Sequence, residues 1–379
     1  MKTIRAVLAL FACIVSNVTA TQSETNSSMN SILSRIDSHD FNPGDAMTMD
    51  RTLGTPGIAD LDNRDWRIRM LAVGDMVRLG EDGIPEIVAA LDHENPHVRY
   101  LAAMALGILR AESAVHPLSE VLGEDPVITV RSQAAISLGQ IGLESSLAAL
   151  ETARGSDPSR DVTHQCELAI HQIISAQPAT EELASAWRSL DESTFETIEV
   201  GSPAPDFVLT DADGRPWELS AHRGKPVALI WVFADWCPVC HGEFRELIEL
   251  REEFEEAGIE VVTLEIHDSY RTRVMVGKEL EPEYWFADEP FMETYAREVW
   301  WRHLSDRAGA VGATYGVDPL AFAVHSEYIN RPSTIVVDRE GIIRMAYYGT
   351  FWGDRPSIHQ MLEMMETGYY EFQHPKRLE

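Results

Sequence analysis

One dipeptide recurs along the first half of the chain at a spacing that few folds tolerate. Ile68-Arg69, Val98-Arg99 and Val130-Arg131 follow one another at 30 and 32 residues, and Val162-Thr163 comes 32 later. Asn95-Pro96, Asp125-Pro126 and Asp157-Pro158 stand just before successive units. Such a pair suits a helix start, because the side chain can cap free N–H groups and proline is tolerated in the first turn. Within a unit the apolar residues fall at helical spacing, as in Val98, Leu101, Ala102, Ala105, Leu106 and Leu109, followed by a second helix through Val115, Leu118, Val121 and Leu122. Two short helices cannot bury their faces alone, so neighbouring units must stack, and residues 61–176 are expected to form an all-α solenoid. Its helices carry no His/Cys/Asp constellation at site-forming spacing, which leaves binding or positioning as its role. Cys166, beside Leu168, Ala169 and Ile173, reads as a buried apolar thiol.

Residues 177–198 continue as a linker helix with Leu183, Trp187 and Leu190 on one face, and from 199 to 379 the texture changes. Val227 to Phe233 is a nearly unbroken apolar run, as a strand buried on both faces requires. Glu243 to Glu256 has helical spacing, Ile259 to Ile266 reads as a strand, and Thr334–Val337 with Ile342–Tyr348 around Asp338-Arg339-Glu340-Gly341 reads as a hairpin. A closing helix is expected over Pro356–Glu366.

The chemistry concentrates at Cys237-Pro238-Val239-Cys240. The order strand, CxxC, helix puts the first thiol at a helix N-terminus, where free N–H groups and the dipole stabilise a thiolate. Cys237 is thereby a nucleophile and a good leaving group near neutral pH, and Cys240, one turn on, can close a disulfide with it.

Ala234-Asp235-Trp236-Cys237-Pro238-Val239-Cys240, with Gly201-Ser202-Pro203-Ala204-Pro205-Asp206-Phe207, Tyr315-Gly316-Val317 and Arg331-Pro332-Ser333-Thr334-Ile335-Val336-Val337-Asp338, resembles the thioredoxin-fold redoxins of the AhpC/TSA and TlpA-like families. The units of the first half are similar to short HEAT-like repeats. The resemblance implies a HEAT-like solenoid followed by an α/β thioredoxin-like domain. It also implies that Pro332 is a cis-proline lying against the disulfide, with Trp236 and Arg331 beside the substrate. Catalysis would rest on Cys237 and Cys240, with no cofactor and no metal. The partners would be protein thiols or disulfides and an upstream reductant, with a protein partner for the repeats. Peroxiredoxins of this superfamily carry Pro-x-x-x-Thr-x-x-Cys, and here Phe233 and Cys237 stand where the Pro and Thr should be, which favours dithiol exchange over peroxide chemistry. A thiol peroxidase and a redox-sensing interaction protein are the alternatives. About His267 to Thr314, and again Asp318 to Asn330, the chain carries extra length rich in aromatics (Trp285, Phe291, Tyr295, Trp300, Trp301), expected to pack the insert's own helices.

Cys237-Pro-Val-Cys240-His241 also fits a c-type haem attachment pattern, but the buried strand before it favours the dithiol. His222, His241 and His267 lack finger-like spacing for zinc, and His241 reads as a polar first-turn residue. Glu265 and His267 fall at a strand end, where a solvated terminus or a proton relay to Cys240 is expected.

Address and charge complete the picture. Lys2 and Arg5 precede the apolar run from Ala6 to Val15, and Val18-Thr19-Ala20 offers small residues for cleavage, so residues 1–20 read as a signal peptide and 21–60 as a flexible leader. A lipid anchor on Cys13 is the competing reading. Export to the periplasm or beyond leaves no integral membrane segment after signal removal, since no other apolar run approaches the required ~18 residues. With 61 acidic against 31 basic residues the net charge of -30 argues against nucleic acid. Four cysteines are too few for a disulfide scaffold in an oxidising compartment.

Overall fold

The computed structural model describes residues 66–279, 299–320, 322–349 and 355–371. The signal and leader expected over 1–60, Cys13, and Trp285, Phe291 and Tyr295 lie outside them.

The repeats are built from α1 (Trp66–Leu79), α2 (Ile84–Ala89), α3 (Pro96–Ile108), α4 (Val115–Glu124), α5 (Ile128–Ile141), α6 (Leu147–Ser156) and α7 (Arg160–Ile174). Helices α1, α3, α5 and α7 stack in one row, with α4 and α6 packed behind them. Val98, Val130 and Val162 are fully buried in the stack. The arginine beside each valine explains why the dipeptide recurs. Arg99 grips Asp125 through Nε (2.6 Å) and a second nitrogen (3.0 Å), and donates to the His93 carbonyl of the preceding loop. One unit on, Arg131 does the same with Asp157 (2.7 and 3.0 Å) and the Asp125 carbonyl. Arg69 instead donates to the carbonyl of Leu320 in the second half of the chain, 2.7 Å away.

The Asn/Asp-Pro punctuation works differently from the expectation at two of its three positions. Asn95 caps α3 by accepting the His97 N–H, with Pro96 in the first turn. Asp125 and Asp157 stand ahead of their helices and accept the Val127 and Ser159 N–H groups in local turns, their carboxylates being shared with the arginines.

The linker contains α8 (Glu181–Arg188), which buries Leu183 and Trp187. Beyond it a seven-stranded mixed sheet runs in the order β2-β1-β5-β4-β3-β8-β9. The strands are β1 (Val208–Asp211), β2 (Pro216–Glu218), β3 (Val227–Trp231), β4 (Glu260–Glu265), β5 (Arg302–Ser305), β8 (Ser333–Val337) and β9 (Ile343–Tyr348). Central β3 is buried at every residue and pairs parallel to β4 and antiparallel to β8. The helix expected over 243–256 begins earlier, as α9 (Pro238–Glu249), and breaks at Leu250 into α10 (Arg251–Ala257). The remaining elements are α11 (Ser269–Met275), α12 (Ala310–Thr314), the hairpin β6 (Phe322–Val324) and β7 (Glu327–Ile329), and α13 (Ile358–Thr367), the last opened by a Ser357/Gln360 capping box.

The stretch read as an insert contributes to the sheet itself. Arg302–Ser305 pairs parallel to β4 and antiparallel to β1. Four residues without a β-branched side chain leave too little pattern to announce a strand. Its two described aromatics pack not on helices of the insert, as expected, but on β4 and α9: Trp301 donates to Thr263 Oγ1 (2.9 Å) and meets Phe244 edge-on, while Trp300 donates to the Leu247 carbonyl (2.8 Å).

The repeats and the α/β domain belong to one compact unit, Thr55–Glu379. The repeat core takes in Ala308, Ala313, Leu320 and Tyr328 from the α/β half, and Leu168 of α7 joins the core around the cysteines. Tyr100 packs edge-on against Tyr328 at 4.7 Å and accepts its backbone N–H. Gln140 donates to Asp268, and the Tyr270 hydroxyl reaches the Leu168 carbonyl.

Candidate active site around the CPVC segment

Strand β3 delivers the chain to Cys237, which is the N-cap of α9. Its sulfur accepts the Cys240 N–H at 3.2 Å, and Pro238 occupies the first turn, where its missing N–H costs nothing. Cys237 and Cys240 are joined as a disulfide with Cα atoms 5.3 Å apart. Both cysteines are fully buried in this oxidised form, and the Phe233 N–H points at the Cys240 sulfur, 3.4 Å away. Cys166 is free and buried, and burial pushes its thiol up to about 12, so it is inert.

Trp236 is buried rather than displayed. Its indole N–H donates to Glu327 (2.9 Å), and the His325 ring, at the tip of the β6–β7 hairpin, meets it edge-on at 4.9 Å. Non-glycine residues hold positive φ at that tip, His325 (45°) and Ser326 (63°). The tip is tied to the repeats through Asp161 of α7, which accepts from Ser326 Oγ (2.9 Å) and pairs with His325.

Pro332 and Arg331 lead into β8. Asn330 donates its side-chain amide to the Val232 carbonyl (2.9 Å), and Ser333 pairs with Trp231, so this segment runs beside the end of β3 that feeds the CPVC turn. The Arg331–Pro332 bond corrects the expectation of a cis-proline, since no described peptide bond is cis. Only about 0.5–1 kcal/mol separates the isomers at an X–Pro bond. The Pro332 carbonyl accepts the Gly349 N–H. Arg331 pairs with Asp318 at 2.5 Å.

Three polar residues, His241 in the first turn of α9 and the pair Glu265 and His267, lie in the interior. His241 is buried with Nε2 2.6 Å from the Asp235 carbonyl, and burial holds its imidazole down to about 4, so it is neutral and donates there. Glu265 and His267 are not a solvated strand end. Burial disfavours charge on His267, but Glu327 and Glu265 on either side outweigh this and raise it to about 10. Burial likewise opposes charge on both carboxylates, yet His303 and His267 hold Glu265 well below the usual range, and Arg271 and His267 do so for Glu327.

Sequence reasoning missed the residues that organise this interior. Arg271 of α11 donates through Nε to Asp235 (2.7 Å) and through its other nitrogens to Glu327 (3.1 and 3.2 Å) and to Gln165 of repeat helix α7 (3.3 Å). Arg355 donates to the Trp231 carbonyl (2.6 Å) and to Glu243 on α9, with Cys240 Sγ at 3.9 Å. Burial raises Glu243 to about 7, against the pull of Arg355. These groups are far apart in the chain and share no motif spacing; the one signal available was charge on otherwise apolar faces. Among the described residues no cluster of His, Cys, Asp and Glu could hold a metal ion.

Residues 200–346 match the model of the AhpC/TSA family, and residues 57–138 and 84–171 match HEAT repeats. The chain is 30% identical over 169 residues to the thiol-disulfide oxidoreductase ResA of Geobacillus thermodenitrificans, spanning 45% of this chain and 79% of that protein. It is 28% identical to the ResA of Bacillus subtilis over 46% of this chain and 79% of that one. It is also 27% identical to the chloroplastic peroxiredoxin Q of Suaeda salsa, over 48% of this chain and 73% of that one.

Proposed function

The chain belongs to the AhpC/TSA family, and on that premise we propose that it is an exported thiol–disulfide oxidoreductase in which Cys237 is the nucleophile and Cys240 the resolving thiol. The observation that carries this reading is the placement of Cys237 as the N-cap of α9 with the Cys240 N–H on its sulfur, an arrangement that favours the thiolate. The Cys237 thiolate attacks a substrate disulfide, one substrate sulfur leaves as a thiolate and takes a proton, and a mixed disulfide forms. Cys240 loses its proton, attacks the Cys237 sulfur and releases the second substrate thiol, leaving the closed pair seen here. A dithiol reductant reopens it by the reverse exchange. Because both sulfurs are buried in the closed form, exchange with a protein requires local opening. Arg331 and Pro332, beside the end of β3, form the substrate side of the site in this reading, while Trp236, next to the nucleophile, supports it from the interior.

The leader, with Lys2 and Arg5 before an apolar run, supports export to the periplasm or beyond. A protein partner of the repeats is left the helices α4 and α6, because α3, α5 and α7 bond the α/β half through Tyr100, Gln140 and Gln165.

A second reading, a thiol peroxidase using Cys240, is favoured by the guanidinium of Arg355 at 3.9 Å from that sulfur. One experiment separates the two: turnover of a protein disulfide and of peroxide by wild type, Cys237→Ser and Cys240→Ser. Exchange predicts loss of disulfide turnover in Cys237→Ser and trapped mixed disulfides in Cys240→Ser. Peroxide turnover that survives Cys237→Ser but not Cys240→Ser would establish the peroxidase instead.

A further inference from the structure

The segment that carries the nucleophile is held from behind by three other pieces of chain, which meet it in one buried polar cluster. Asp235 and Trp236 come from the turn before Cys237, Arg271 from α11, Glu327 from the hairpin strand β7, and Gln165 from repeat helix α7. All five are at most 5% exposed. Glu327 receives the Trp236 indole N–H, the His267 imidazole and Arg271, and Arg271 in turn holds Asp235. Arg271 stands between Asp235 and Glu327, and the charged His267 between Glu327 and Glu265, so each buried charge faces one of opposite sign, as burial of charge requires.

Gln165 is the member that the repeats supply. Its carbonyl accepts from Arg271 at 3.3 Å, and its amide faces Glu327 Oε2 at 3.5 Å. The position demands an acceptor for a guanidinium and a donor for a carboxylate at once, with no net charge, which a carboxamide alone provides. An apolar residue would leave both partners short of a bond in a medium where each loss is costly, and a glutamate would set a further carboxylate directly against Glu327.

We propose that Gln165 is a positioning residue of the redox centre, acting through Arg271 on Asp235 and through Glu327 on Trp236, so that the HEAT-like repeats form part of the active-site support. The two side chains it steadies immediately precede Cys237 and fix how the backbone enters α9, where the thiolate is stabilised. The inference rests on the assignment of Cys237 as nucleophile made above. Gln172, two turns further along the same helix, serves as the internal reference: it is also buried, but it bonds the Gln177 carbonyl and lies near Gly139 of α5, not in the cluster.

The test uses the full chain and reads the cysteine pair directly. Gln165→Met keeps the volume and removes both bonds, Gln165→Glu adds charge, and Gln172→Met is the control, each first checked for native circular dichroism. Two quantities are measured: the rate of iodoacetamide modification of reduced Cys237 across pH 5 to 9, and the equilibrium of the pair with a thiol redox buffer. For Gln165→Met the modification rate at pH 7 should fall roughly fivefold or more, because the thiolate is less well preorganised. For Gln165→Glu the profile should move to higher pH and the equilibrium constant change about tenfold, equivalent to about 30 mV. Gln172→Met should match wild type. Rates and equilibria of both Gln165 variants within twofold of wild type would overturn the proposal, as would an equal shift in Gln172→Met, which would mean general loosening. A wild type that reduces no protein disulfide would overturn the proposed function and leave the Gln165 comparison standing, since that is read on the cysteine pair itself.

Discussion

The guanidinium of Arg355 stands 3.9 Å from the sulfur of Cys240 while bonding the Trp231 carbonyl and the Glu243 carboxylate. A cation placed there eases departure of the Cys240 proton when the resolving step begins. Replacing Arg355 with Met should slow resolution about tenfold, visible as accumulation of the mixed disulfide with Cys240 intact. Resolution at the wild-type rate would show that Arg355 only props β3 against α9.

Glu243 gives a pH dependence of known sign. Burial raises its carboxyl from an ordinary 4.5 to about 7, so between those values the native state holds a proton that the unfolded chain has lost. Stability from this group therefore falls as pH rises through that window, by up to about 3 kcal/mol. Urea unfolding of Glu243→Gln from pH 4.5 to 7.5 should lack this decline. An unchanged slope would mean that Arg355 keeps Glu243 ionised throughout.

His267 titrates in the same sense, over a higher window. With its imidazole raised to about 10, it contributes stability that is complete below 6.5 and is lost as pH rises toward 10. Glu327, held low, contributes above about 4.5 and loses its contribution as pH falls. The His267 ring should therefore stay protonated from pH 5 to 8 in NMR titration. A midpoint near 6.5 would show that its pairing with Glu327 does not persist in solution.

In the repeats, Arg131 and Asp157 form a nearly buried two-bond pair. Arg131→Met should cost about 3–5 kcal/mol in chemical denaturation, because Asp157 is left charged and unpaired. Replacing Asp157 with Leu in the same chain should recover much of that loss. A single-variant cost below about 1 kcal/mol would place the pair among weak surface bridges.

Gly107 and Gly139 stand one 32-residue interval apart and let the next unit approach. A Cβ on Gly107 would lie 2.4 Å from Gln140 Oε1 and 2.9 Å from Ser137 Cα; on Gly139 it would lie 2.8 Å from Gln172 Oε1 and 2.9 Å from Ala169 Cα. Because backbone atoms are involved on both sides, Gly139→Ala should destabilise by about 1–3 kcal/mol despite its better helix propensity. A gain in melting temperature would show that α5 and α7 can move apart freely.

What was legible in the sequence was periodic or local. Val98, Val130 and Val162 repeat at a fixed interval, Val227 to Trp231 is a continuous apolar run, and Cys237 through Cys240 is four adjacent residues; each is a short-range pattern with one physical meaning. Short β5 escaped notice because Arg302, His303, Leu304 and Ser305 follow neither helical nor alternating apolar spacing. The buried cluster escaped for a different reason. Asp235, Arg271, Glu327 and Gln165 are each an ordinary polar residue in its own segment, and only the tertiary fold turns them into mutual partners. Polar residues on helix α7 look like a solvated face until the other half of the chain is laid against them.

The way the hairpin β6–β7 is held has a bearing on the order of assembly. Its tip binds Asp161, its strand β7 carries Glu327 to Gln165, and Tyr328 packs on Tyr100, so its anchors in the repeats were synthesised some 160 to 230 residues earlier. Solenoid units fold from contacts with their neighbours and can form while the rest of the chain is still emerging. The finished stack then presents a row of tyrosine and glutamine side chains as a template for the later segment. A lesion in α7 would therefore remove part of the surface on which this hairpin, and with it the support of the CPVC turn, is seated.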